Sequence, residues 1–377
     1  MHLSRVTILA VLLALGACTK HDSGGSGVHG TFRFLTTDNL DGEEDDPAVA
    51  LGPDGTIHVV WFSDRDGTKD LYYVRSQAID PAHGTITWSA PTQITHLDPA
   101  QFPPPTQGDN YPALAIDDDG MLNVAWHRWN LANESHILFL RSDGTDAGWA
   151  AASEVDVTTG PQFDRFPNLV RFGPADLRIY FGSSTAGTPG VNEVFMTSSI
   201  DDGQHWSTPV PVASLNAALE HTSLPMVAKL SDTSFVATIE RWSVGAPGDV
   251  LDPTTDVFHA ESADGENWSV DPVTSALADV EPDFAPALFL DRLGEPWIAW
   301  ATTSFGDPTA DIVRVAASDR DLYPLSAATL SPALGLADHS PRVLACSAGG
   351  QPFYVMIWVR IADGVHNQVG YRLLAHL

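Results

Sequence analysis

Six times along this 377-residue chain a proline opens a short apolar run, and a second apolar run follows after a turn. The copies span residues 45–62, 109–128, 164–183, 221–241, 282–302 and 338–360. Their anchors are Pro47, Pro112, Pro167, Pro225, Pro286 and Pro341, spaced by 65, 55, 58, 61 and 55 residues. A period of this size marks one supersecondary unit that cannot bury its apolar face alone and must stack on its neighbours.

Each copy continues into a third run, from KDLYYVRSQ in the first to NQVGYRLL in the last. A fourth begins near Trp88, Trp149, Trp206, Trp268 or Tyr323. Alternating apolar and polar residues, rich in β-branched and aromatic types, predict strands. Asp54-Gly55, Asp119-Gly120 and Gly349-Gly350 suit tight hairpins. No stretch predicts a long helix. The sixth copy ends after its third run, and GTFRFLTT (30–37) stands ready to supply the missing strand. The expectation is an all-β, six-bladed β-propeller of four-stranded blades over residues 30–377, closed by an N-terminal strand that removes two open edges. In the cores of these blades Trp61, Trp126, Trp300 and Trp358 recur at one register with Phe181 and Ile239.

The first residues read as a targeting segment. MHLSR is basic, and VTILAVLLAL is too short to span a bilayer. Leu15-Gly16-Ala17-Cys18 resembles the lipobox of bacterial lipoproteins, which implies a signal peptide over 1–17 and a lipidated Cys18. An ordinary secretory signal is the alternative. Residues 18–29 form a Gly/Ser-rich tether. With Cys18 lipidated, Cys346 has no partner for an internal disulfide. The expected location is the bacterial cell envelope, anchored by lipid to the outer membrane and facing either the periplasm or the surface, as a monomer. After signal removal the chain carries 18 basic and 48 acidic side chains, a net charge of −30. That charge excludes nucleic acid and anionic lipid surfaces as partners.

Ser199-Ile200-Asp201-Asp202-Gly203-Gln204-His205-Trp206 matches the Asp-box, Ser/Thr-x-Asp-x-Gly-x-x-Trp. A shorter version runs from Ser262 to Trp268, and remnants stand at Ser142-Asp143-Gly144 and Ser318-Asp319. On these motifs the chain resembles the sialidase-like (BNR-repeat) propellers. The resemblance implies that the boxes lie on the face opposite the active site. It also implies, for a true sialidase, three carboxylate-binding arginines, a Tyr nucleophile backed by Glu, and an Asp acid/base. The family's Phe/Tyr-Arg-Ile-Pro motif opens the first blade, whereas here the first copy opens Asp45-Asp46-Pro47. The nearest match, Asp164-Arg165-Phe166-Pro167, lies in the third copy and requires a permuted ring order.

Propeller ligands meet the loops on one face, and that face holds the start of each first strand and the end of each second. Sixteen residues beyond the proline stand Ser63, Arg128, Ser183, Arg241 and Thr302, with Arg360 at the equivalent place in copy six. Arg128, Arg241 and Arg360 on alternate blades predict guanidiniums converging on an anion. The alternative is that each serves a neighbouring carboxylate. Trp129 and Trp242 follow two of these arginines and suit stacking on sugar faces or packing on a neighbouring blade. For hydrolysis the candidates are Asp64 and Asp66 as acids, with Tyr111 and Arg165; Asp45 and Asp46 share their face. The cluster Asp38, Asp41, Glu43, Glu44, Asp45 and Asp46 could take Ca²⁺ but lacks an EF-hand order. No transition-metal spacing, phosphate loop or nucleotide fingerprint is present, so no cofactor is expected.

The reading placed first is noncatalytic recognition of a glycan or protein partner through Arg128, Arg241, Arg360, Trp129 and Trp242. An exo-glycosidase of sialidase type is the alternative, and an envelope scaffold without a small ligand is the third.

Overall fold

A computed structural model describes residues 32–36, 42–102, 108–130, 132, 134–160, 162–185, 191–218, 220–243, 255–274, 282–303, 310–316, 328–331, 338–361 and 366–375. The signal segment, Cys18, the tether, Asp38, Asp41 and Tyr323 lie outside these residues.

Strand pairing groups the chain into six antiparallel units in sequence order, each centred on one proline copy. The first three strands of each pair as successive hairpins; in the fourth unit these are Glu220–Ser231, Ser234–Ser243 and Asp256–Ser262, followed by Trp268–Pro272. The second and third units are joined by one parallel pairing, Phe163 with Ser135. Each first strand touches the first strands before and after it, and the sixth touches the first, so the units close into a ring. Closure uses the expected N-terminal segment. Arg33 and Phe34 pair with Tyr371 and Gly370 as the outer strand of the last unit, and the Phe32 ring lies 4.8 Å from that of Trp358. The chain is an all-β propeller.

The recurring tryptophans Trp61, Trp126, Trp300 and Trp358 are almost fully buried, as are Phe181 and Ile239. They pack between units; Trp61, for example, shares one apolar cluster with Ile357 and Val359 of the sixth unit. The fourth-strand aromatics reach back across the same boundaries. Trp88 packs on Tyr371, Trp149 on Tyr73, Trp206 on Phe139 and Trp268 on Tyr180. Trp149 departs from expectation in one respect. It sits in a six-residue helix, Asp146–Ala151, capped by the Thr145 hydroxyl accepting from the Gly148 N–H at 2.9 Å.

The six prolines mark six β-bulges. The register of the first strand against the second shifts at every one, between Asp45 and Ala48, Asn110 and Ala113, Arg165 and Asn168, Ser223 and Met226, Phe284 and Ala287, and His339 and Arg342. The residue before each proline is left-handed: Asp46, Tyr111, Phe166, Leu224, Ala285 and Ser340, with φ between 46° and 57°. Proline crowds its predecessor out of the right-handed helical region. A left-handed side chain costs roughly 1–2 kcal/mol. None of the six is β-branched, in keeping with that strain. A bulge re-aims the side chain it carries, and here six re-aimed side chains share one end of the ring.

Candidate active site

The second strand lies opposite the bulge, and its side chains alternate in direction. Fourteen residues after the proline come Trp61, Trp126 and Trp300, and sixteen after come Arg128 and Arg241, on the same side of the sheet; in the sixth copy Trp358 and Arg360 keep the same two-residue separation. The structure places Arg128 over the Trp126 ring and Arg360 over that of Trp358, with guanidinium carbons 5.7 and 5.5 Å from the ring centroids. Each then meets a carboxylate on the paired first strand. Arg128 donates to both oxygens of Asp109, at 2.6 and 2.9 Å, and to Glu154 at 2.7 and 2.8 Å. Arg360 donates to both oxygens of Asp338 at 2.6 Å. Arg241 bonds the Leu215 carbonyl at 2.7 Å and lies 3.9 Å from Glu220. The expected convergence of Arg128, Arg241 and Arg360 is therefore not observed: Arg128 and Arg360 are engaged by carboxylates of their own units, and Arg241 by the segment that leads from the third unit into the fourth. A sequence signal could have said so: an acidic residue stands three before the proline in five copies, as Glu44, Asp109, Asp164, Asp283 and Asp338.

One residue earlier, at the same end of the strand, the side chains turn to the other side, toward the following unit. That position holds Phe62, His127, Gly182, Glu240 and Ala301, with Val359 as the register equivalent in the sixth unit. Two of these can do chemistry. Glu240 is 5% exposed, and its carboxylate accepts the N–H of Ala285, the bulge residue of the next unit, at 3.2 Å. No cation pairs with it among the described residues. Burial pushes its pKa up to about 7 against that single bond. His127 repeats the arrangement one unit pair earlier. Its Nδ1 faces the N–H of Phe166 at 3.4 Å, and its Nε2 accepts from the Trp129 indole at 2.9 Å. Burial first, then Arg165 and Lys69, holds the imidazole neutral. The bulge frees an N–H from the sheet ladder, and that N–H orients a side chain on the preceding unit.

Tyr111 occupies the left-handed position of the second unit. It stacks on His127 with centroids 5.4 Å apart and meets Phe166 edge-on at 4.4 Å. Its hydroxyl makes no hydrogen bond among the described residues. Burial, then Asp46, Asp45 and Glu240, push its pKa well up, while Arg165 opposes. Asp46 holds the same position in the first unit. Burial and then Asp45 raise its carboxyl well above the ordinary range, with Arg342 and Lys69 opposing. Asp45 accepts from the Asn367 side chain at 2.5 Å and the Asp46 N–H at 2.6 Å.

Of the catalytic residues expected from sequence, Tyr111 and Arg165 thus meet at the mouth. Arg165 lies over the rings of Phe166, Trp129 and Phe163 and bonds Asn192 at 3.4 Å, with no carboxylate partner among the described residues. Asp64 and Asp66 serve their own loop instead. Asp64 accepts the Glu43 N–H at 2.9 Å, and Asp66 accepts the Tyr72 hydroxyl. Of the two tryptophans, Trp129 joins the site beside Arg165, whereas Trp242 is buried and stacked on His221 at 5.0 Å. Glu43 to Asp46, the described part of the acidic run, form no cage. Glu44 is spent on Arg65 and Thr36, and among the described residues no three His, Cys, Asp or Glu side chains gather as metal ligands. Glu240 and His127 are the site residues that residue spacing did not single out, and Asp46 stood there only as sharing the face of Asp64 and Asp66.

The Asp-boxes lie at the other end of the sheets. Ser199 pairs with Leu177, whereas Glu193 at the far end of the same strand pairs with Ser183 near the mouth. Asp201 accepts the His205 N–H at 2.9 Å, and Ser199 accepts that of Gly203 at 2.9 Å, so the box is a turn-making device.

No protein-family profile matches this chain, and no curated protein sequence does. Solved structures do. A protein of unknown function from Dyadobacter fermentans has a TM-score of 0.64 at 12% identity, covering 92% of this chain and 98% of the other. The α-L-arabinanase of Penicillium chrysogenum, solved with arabinobiose, has 0.62 at 15%, covering 93% and 98%. A sialidase of Streptococcus pneumoniae has 0.56 at 10%, covering 93% and 69%. At these identities the likeness establishes the shared propeller fold.

Proposed function

We propose that this chain is a glycoside hydrolase working at the bulge-lined mouth, with Glu240 at its centre. The observation that carries this reading is a buried carboxyl with no cationic partner among the described residues, its pKa pushed up to about 7, which acts through space on Tyr111 together with the buried carboxyl of Asp46. Acid/base groups displaced toward neutrality in a cleft are what glycosidic cleavage requires. Structural likeness to an arabinanase and a sialidase supports the same reaction class. The noncatalytic reading is weakened, since Arg128 and Arg360 are neutralised and Arg241 is bound to the segment that leads into its unit.

In this reading Asp46, kept protonated by burial and by Asp45, gives its proton to the leaving glycosidic oxygen. Ionised Glu240 takes the hydroxyl proton of Tyr111 as that oxygen bonds to the anomeric carbon and the bond to the leaving group breaks. Water then displaces Tyr111 from the sugar. Asp46 receives the water proton, and Glu240 returns its own to Tyr111. Trp129 offers a stacking face, and Arg165, free of a carboxylate, favours a sugar that bears one.

A panel of aryl arabinofuranosides, sialosides and uronides tests this directly. At least one should be turned over, with a rate that climbs as pH rises through about 7. Glu240→Gln should lower kcat by roughly a hundredfold or more. Silence across the panel, or full activity in Glu240→Gln, would overturn the reading.

A further inference from the structure

The axis of the ring holds a charge that the proposed reaction leaves unused. Within their own sheets five of the six first strands are edge strands, and the third adds only its single pairing with Ser135. The six run side by side around a cavity of about 440 Å³. Its lining side chains are largely apolar, with Ala48, Leu114, Leu169, Val227, Phe289 and Val343 each from a different strand. Unpaired strand edges facing such a space present backbone N–H and C=O groups that need partners.

Two ionic side chains line the cavity, Asp291 and Arg342. Asp291 is occupied at its own turn, accepting the N–H groups of Leu293 at 2.7 Å and Glu295 at 3.0 Å. Arg342 follows the sixth bulge proline and makes one hydrogen bond, to the Pro341 carbonyl at 2.8 Å. No carboxylate among the described residues reaches ion-pair distance of it. Asp46 and Tyr111 act on it only through space, and burial works against its charge. A half-buried guanidinium that lines a cavity, with no carboxylate in reach among the described residues, has N–H groups to offer an anion.

We propose that the Arg342 end of the axial cavity binds a small inorganic monoanion of halide size, chloride in the cell. The fork of guanidinium N–H groups and the strand-edge N–H groups would coordinate it. A halide suits this place better than an organic acid because its shell can be completed by water along the polar strand edges. If the hydrolase reading holds, the bound anion also sits behind Asp46 and strengthens that carboxyl's hold on its proton. Binding itself does not depend on that reading.

Chloride-35 NMR line width on the intact chain is the test. Excess broadening should appear, be displaced by bromide, persist in Glu240→Gln and vanish in Arg342→Met. Arg342→Lys, which keeps the charge but not the fork, should raise the chloride Kd at least tenfold, and it decides the matter if Arg342→Met does not fold by circular dichroism. Bromide-soaked crystals should show an anomalous peak beside the Arg342 guanidinium. Equal broadening in the wild type and the Arg342 variants, or bromide bound only elsewhere, would overturn the site whether or not any glycoside is cleaved.

Discussion

Glu240 illustrates how a single position can be set against the stability of the chain that carries it. Its folded pKa of about 7 exceeds the ordinary 4.5, so the folded chain binds this proton more tightly than the unfolded one. The resulting stabilisation is complete below about pH 4.5, is lost as pH rises through about 7, and is absent above that; it is on the order of 3 kcal/mol. Gln at 240 is neutral at every pH and keeps an acceptor for the Ala285 N–H. The thermal midpoint of Glu240→Gln should therefore match wild type near pH 4.5 and exceed it by several degrees at pH 8. A constant difference across that range would contradict the assigned environment.

At the scale of the element, two turn devices divide the work of each sheet. The proline bulge aims side chains at the mouth. At the opposite end the Asp-box glycine allows one unit to dock on the one before it. Gly203 has φ 85°, and a Cβ there would stand 2.1 Å from the Phe139 ring; Gly265, at φ 74°, would meet Phe172 and the Tyr180 hydroxyl. Gly203→Ala suffers both the left-handed backbone and the overlap, and should cost about 2 kcal/mol or more. Urea denaturation measures it, and a loss below 0.5 kcal/mol would mean the contact relaxes freely. Gly55, with φ 82° but nothing near its absent Cβ, serves as the control that isolates the backbone contribution.

For the whole molecule, the ring depends on the seam of its closing strand. Among the described residues Arg33 and Phe34 pair there, with the Leu35 N–H adding a bond to Val369 at 2.9 Å. Side chains reinforce it: Phe32 fills the space over Gly370 and packs on Trp358, and Leu35 is buried. Deleting residues up to 36 would expose the edge of Asn367–Leu374 and remove these contacts. The truncated chain should melt at least 5 °C lower and show concentration-dependent association in light scattering. A monomeric product with an unchanged midpoint would show that the seam is dispensable.

The repeat alone carried the reader to the ring, its closure and the buried tryptophans, because each of these follows from periodic apolar patterning and from the need to cover strand edges. It also located the mouth, since antiparallel strands bring the starts of first strands to the ends of second strands. It could not say which side of the second strand looks into that mouth. A strand reverses its side chains at every residue, so an error of one position exchanges Glu240 for Arg241 and His127 for Arg128. The bulge before each proline, invisible as a count of residues, sets that phase. The acidic residue before the proline hints at the pairs of Arg128 and Arg360, but tertiary structure alone decided that Arg165 and Arg342 are left without a carboxylate among the described residues. Such pairing depends on which charges the ring brings within a few ångströms of each other, and one-dimensional spacing does not contain that distance.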